Sequence, residues 1–131
     1  QENGHVVVTT IVTDEPFPGY IAPALDGIWA TAPYLHNGSV PTLDLVLDSG
    51  RRPAYWRRVD YDSENFDEAA LGWPYLKLDL EWIGGADGMP EDEAKHVYDT
   101  TRLGYWNGGH TFGDALSSDE RRAVIEYLKT L

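Results

Sequence analysis

Glycine and proline punctuate this chain from Gly4 to Gly113 and then stop. The 13 glycines and 8 prolines are spread along the sequence instead of gathering in one linker. Proline lacks the amide that a helix or ladder needs, and glycine loses the most backbone freedom on ordering, so long helices and long strands are both disfavoured. A packed core must therefore be reached through loops joined by short elements. With 131 residues, 42% of them apolar, one domain with a real core is expected.

Val6 to Val12 is apolar and β-branched apart from Thr9 and Thr10 and predicts a short strand, ended by Asp14, Glu15, Pro16 and Pro18. Gly19 to Ser39 is broken too often for a long helix, yet Tyr20, Leu25, Ile28, Trp29, Tyr34 and Leu35 are too apolar for a solvated loop. That stretch reads as a buried, irregular segment. Thr42 to Asp48 predicts a short helix with Leu43, Val46 and Leu47 on one face and Gly50 as its stop. Arg51 to Asp60 reads as a solvated basic turn, and Asp60 through Glu93, which has no sustained period, as a long ordered loop. The clearest helix is the last: Ser117-Ser118-Asp119-Glu120 fits a capping box, and Ala123, Val124, Tyr127, Leu128 and Leu131 form an apolar stripe behind it. The expected architecture is mainly α and loop-rich, with a short N-terminal strand, a few short helices and a C-terminal amphipathic helix.

Charge and composition exclude several function classes. Ten Lys and Arg against 22 Asp and Glu give a formal charge of -12, which repels phosphate backbones and anionic headgroups, so no nucleic-acid or membrane partner is expected. No run approaches the length of a membrane span, and Gln1 to Gly4 has no leader character, so any leader is expected to have been removed. Cysteine is absent, which removes disulfides, thiolate zinc sites and thioether attachment of a haem from these residues. Nucleophile elbows, zinc-protease helices, phosphate loops and dinucleotide fingerprints are also missing. Asp60, Asp62, Glu64 and Asp67 could attract calcium but lack the EF-hand spacing, and solvated acids are the expected reading.

Besides carboxylates, the groups able to ligate a transition metal or haem iron are His5, His36, His96, His110 and Met89. His5, near one end, and His96, after an acidic run, read as ordinary surface residues. Gly108, Gly109 and Gly113 surround His110, a setting for a loop that presents an imidazole to a flat ligand or for a turn whose His bonds locally. His36, within Tyr34-Leu35-His36-Asn37-Gly38, sits where a buried His held by a backbone carbonyl is the commoner case, and composition alone does not decide between that and a ligand.

Two blocks carry a family resemblance. The stretch LDGIWATAPYLHNGSVPTL, residues 25–43, resembles the C-terminal haem domain of bacterial dihaem cytochrome c peroxidase-like proteins, nearest the branch containing the rubber oxygenases. Asn107-Gly108-Gly109-His110-Thr111-Phe112-Gly113, followed by the closing IEYLKTL, is similar to the loop and final helix of that branch. Together the blocks cover residues 14–131 around a variable middle, with 1–13 left as a strand or linker.

The resemblance implies a cytochrome c-like fold in which His110 is the distal axial ligand of a c-type haem, with Met89 as the fallback. It also implies that Trp29, Pro33, Tyr34, His36 and Gly109 wall the porphyrin, that His36 supplies a hydrogen bond behind the ligand shell, and that Arg51 and Arg52 pair with the propionates. The family attaches haem through C-x-x-C-H, absent here. A separate segment or chain is therefore expected to carry haem c and its proximal His. The implied parent is a periplasmic or secreted peroxidase- or oxygenase-like oxidoreductase, with this part inactive alone and its acidic face open to a basic redox partner. A simple electron carrier and a haem-free structural module are the alternatives.

Overall fold

Residues 23–79 and 89–131 are described by a computed structural model. The expected strand at Val6–Val12 lies outside them. The described elements run from a 3-10 turn, Ile28–Ala30, to the helix α1, Leu43–Val46, and a second 3-10 turn, Ser49–Arg51. The strand β1, Tyr55–Arg58, a turn at Ser63–Asn65, β2, Tyr75–Leu78, the helix α2, Glu91–Ala94, and β3, Tyr98–Asp99, follow. A 3-10 turn, Phe112–Ala115, leads into the last helix, α3, Ser118–Leu128.

The mainly α expectation is overturned. The centre of the described structure is a three-stranded antiparallel sheet in the order β2-β1-β3, and its three α-helices are short. What read as a solvated basic turn is β1, and what read as one long loop contains β2. The reason is the pairing of aromatics across strands. Trp56 lies opposite Lys77 on one side and Tyr98 on the other, and its ring stacks on Tyr98 with centroids 5.1 Å apart. Tyr75 meets Trp56 edge-on at 6.4 Å. Cross-strand contacts of this kind stabilise a sheet, whereas runs of four and two residues carry no readable alternation. Arg58 is covered too: its guanidinium sits 3.8 Å from the Trp73 ring centroid and 5.0 Å from that of Tyr61.

The core joins segments distant in sequence: Tyr34, Val40, Leu43, Leu45, Leu71, Ile125 and Leu128. Thr42 caps α1, its hydroxyl accepting from the Leu45 amide. The next two amides, of Leu43 and Asp44, donate to the carbonyls of Leu71 and Ala70. Gly72 lies so close to Pro41 that a Cβ there would stand 2.3 Å from the Pro41 carbonyl oxygen. The irregular first segment is pinned by indole donors, Trp73 to the Ala32 carbonyl and Trp56 to the Ser39 carbonyl, each at 3.0 Å.

Helix α3 carries the expected capping box, with the Ser117 amide donating to the Glu120 carboxylate at 2.8 Å. Its buried face is rotated from the expected stripe. Ile125 and Leu128 are buried and Val124 packs against the core, while Ala123 and Tyr127 face solvent. Arg121 sets this rotation, because its guanidinium donates to the Asp48 carboxylate and to the carbonyls of Gly113 and Asp114. That network turns the 121–125–128 side of the helix towards α1.

Candidate functional site

The two sequence blocks meet through one loop, residues 104–110. Two side chains hold its carbonyls. The Asn37 amide donates to the carbonyls of Gly104 at 3.2 Å and Trp106 at 3.0 Å, while its oxygen accepts from the Ser39 amide. Arg52 takes the rest of the loop, with Nη1 donating to the Asn107 and Gly109 carbonyls and Nη2 to the His110 carbonyl at 2.9 Å. The same guanidinium reaches the end of α1 through Nε to Leu45 and Nη2 to Val46, both at 2.8 Å. Asn107 returns a bond to the Pro53 carbonyl at 2.9 Å.

With its carbonyls turned inward, the loop leaves large side chains outside. Trp106 is 70% exposed and Phe112, just beyond the loop, 89%. His110 is exposed as well, and its ring makes no hydrogen bond among the described residues. Its φ of 57° lies in the left-handed region, which a non-glycine residue adopts only when its surroundings over-determine it. The bond from Arg52 to the His110 carbonyl is such a constraint.

The other site residues fall in different places. Arg51 is ion-paired with Asp44 at 2.8 Å and lines a cleft of about 280 Å³ with Asp48, Ser118, Arg121 and Arg122. Tyr34 belongs to the core; its hydroxyl donates to the Ile28 carbonyl at 3.2 Å, and burial pushes its pKa up to about 12. Trp29 and His36 are exposed, and Pro33, exposed too, follows a cis peptide bond. Gly109 has open space where a side chain would begin. Met89 is half-buried, and His96 is bonded through Nδ1 to the Tyr61 hydroxyl at 2.7 Å. His5 lies outside the described residues. Asn37 and Asn107 stand in the two blocks without a motif of their own; the signal in the sequence is a short amide side chain near a glycine-rich loop whose carbonyls need donors.

Burial lowers the Arg52 pKa, and the neighbouring carboxylates of Asp114 and Asp48 push it back up. Asp114 is itself held below the ordinary 3.8, first by the Ser49 hydroxyl and then by the Ser49 amide, which donate at 2.6 Å and 2.8 Å. A depressed carboxyl stabilises the fold above its unfolded pKa and loses that contribution as pH falls through the folded value. Wild type should therefore exceed Asp114→Asn in chemical stability at pH 7. The gap should close as the pH drops below 3.8, a trend that urea titrations at several pH values would read.

What can this arrangement do? An exposed imidazole with no hydrogen-bond partner among the described residues, carried on a loop tied from within, can act as a single nitrogen ligand to a metal. That supplies one ligand to a metal such as haem iron. It does not supply attachment, since cysteine is absent. No group of three or more His, Cys, Asp or Glu among them is placed to hold a metal ion.

Comparison with known proteins gives the same direction. Residues 19–57 match the family described as RoxA-like, cytochrome c-like, which supports a cytochrome c-related, haem-linked character for this part of the chain. The match includes Trp29, Pro33, Tyr34, His36, Asn37, Arg51 and Arg52 and ends before the His110 loop. The chain is 42% identical over 123 residues to the uncharacterised protein y4iJ of Sinorhizobium fredii, an alignment covering 86% of this chain and 18% of that protein. It is 37% identical over 134 residues to y4iM of the same organism, covering 94% of this chain and 30% of the relative. The chain thus spans less than a third of either curated relative.

Proposed function

We propose that this chain forms the distal side of a c-type haem site in a longer, periplasmic or secreted dihaem protein of peroxidase- or oxygenase-like kind, and that His110 is its axial ligand. The observation that carries the reading is the exposed ring of His110, without a hydrogen-bond partner among the described residues, on a loop whose backbone is bonded from within. Haem iron held between two imidazoles is a low-spin centre suited to passing electrons. Trp106 and Phe112, both largely exposed, offer flat apolar surface to a macrocycle. The segment or chain bearing haem c and the proximal His is the expected partner. The net charge of -12 suits a basic redox protein that approaches under electrostatic steering.

The test supplies the missing half as a haem c peptide carrying its own C-x-x-C-H motif and proximal His. Titrated with this chain, the peptide should convert from a high-spin to a saturable low-spin spectrum at a one-to-one ratio. His110→Ala should remove the conversion, and His96→Ala should leave it intact. An unchanged peptide spectrum would overturn the reading and favour a haem-free structural module, and equal conversion by His110→Ala would overturn the assignment of His110 as the ligand.

A further inference from the structure

A guanidinium has five N–H donors, and all five of Arg52 are spent on main-chain carbonyls: Leu45, Val46, Asn107, Gly109 and His110. None remains for a carboxylate ligand such as a haem propionate while these bonds stand. We propose that Arg52 is the positioning residue of the His110 loop, fixing the orientation of the imidazole from behind instead of touching the cofactor. The inference rests on the reading of His110 as an axial ligand, and it adds what aims that ligand.

Three features of the geometry support it. Leu45 and Val46 lie at the C-terminal end of α1, where helix carbonyls have no amide of their own helix to accept from, so a cation there satisfies them. The bonds to Asn107, Gly109 and His110 then make that helix end the base from which the loop is suspended. Finally, the constraint falls on a residue in the left-handed region, His110 at φ 57°, and a bond to its carbonyl restrains the backbone that sets the Cα–Cβ vector from which the imidazole departs. A planar fork is required for this. Lysine, with three donors on one atom, cannot span two carbonyls of a helix end and three of a loop.

The haem c peptide titration tests this separately from the parent reading. Arg52→Lys should weaken coordination about 10-fold, the scale at which groups behind a metal ligand act. It should also broaden the low-spin electron paramagnetic resonance signal, whose anisotropy follows the angle between the two imidazole planes. Leu128→Ala serves as a control, lowering stability without changing that signal. If His110→Ala abolishes coordination while Arg52→Lys keeps wild-type affinity and line shape, the positioning role is overturned and the ligand role stands. If wild type fails to coordinate, the ligand role falls first.

A measurement on the wild-type chain covers the case in which Arg52→Lys does not fold. With arginine labelled with nitrogen-15, Arg52 should show separately resolved Nη–H resonances from hindered rotation, because both Nη groups are bonded on each hydrogen. A single averaged Nη signal would overturn the proposal.

Discussion

Replacing Trp56 with alanine should cost about 3–5 kcal/mol of folding stability, the range for removing a large aromatic from a packed interior. The residue is 3% exposed and stands on the central strand of the sheet. Three contacts go at once: the stack on Tyr98, the edge contact with Tyr75 and the indole bond to the Ser39 carbonyl. Ser39 is itself fully buried, with a hydroxyl that has no partner among the described residues, so the truncation would leave a second polar group unmatched at the same place. For a chain this size the loss corresponds to a fall of about 10–15 °C in Tm. Trp56→Phe separates the terms, since it keeps most of the ring contact and loses only the indole donor. Urea unfolding followed by circular dichroism reads both variants against Trp106→Ala, which removes a largely exposed indole. A loss below about 1 kcal/mol for Trp56→Ala would mean that the sheet does not depend on this ring.

Trp56 also explains why the fold class is hidden in the sequence while the helix caps are legible in it. The capping box at Ser117 is a local code: two side chains three residues apart satisfy each other's backbone, so four letters suffice to place it. Thr42 before Leu43 is legible for the same reason. Strand β1 has no local code. Tyr55-Trp56-Arg57-Arg58 becomes a strand because Tyr98, more than forty residues away, stacks on its second residue, and because Trp73 and Tyr61 cover the Arg58 guanidinium. Non-local pairing of this kind leaves no period in four residues. The rotation of α3 shows the intermediate case. Its apolar letters allowed two neighbouring faces, and the choice was made by Arg121 reaching Asp48, an ion pair between residues 73 positions apart.

The site divides along the same line. Glycines around His110 announced an unusual backbone, and the loop does turn through the left-handed region there. The elements that secure it were hidden because Asn37 and Arg52 act on carbonyls, which every residue has and no sequence pattern marks. An arginine beside a haem-family motif invites a propionate partner; five main-chain acceptors give the same side chain a different occupation. Arg51, its neighbour, points to other company altogether, pairing with Asp44 beside the cleft near Arg121.

Gly113→Ala should destabilise the fold by about 2–3 kcal/mol, whereas Gly109→Ala, four residues earlier, should change it by less than about 0.5 kcal/mol. Both glycines lie near His110, and Gly109, next to it in sequence, invites the larger effect. The surroundings reverse the ranking. A Cβ at Gly113 would stand 2.5 Å from the Leu47 carbonyl oxygen and 2.6 Å from its Cα, main-chain atoms that cannot swing aside, while a Cβ at Gly109 meets nothing within 4 Å. To make room, the Phe112–Ala115 turn would have to lift from the segment after α1. Lifting it pulls Asp114 away from Ser49 and the Gly113 carbonyl away from Arg121. The displacement would reach His110, three residues upstream, so Gly113→Ala should also weaken coordination of the haem c peptide. Parallel urea unfolding of the two variants decides the matter. Equal stabilities would show that the turn is not seated on Leu47, and that the loop takes its orientation from Asn37 and Arg52 without support from the turn behind it.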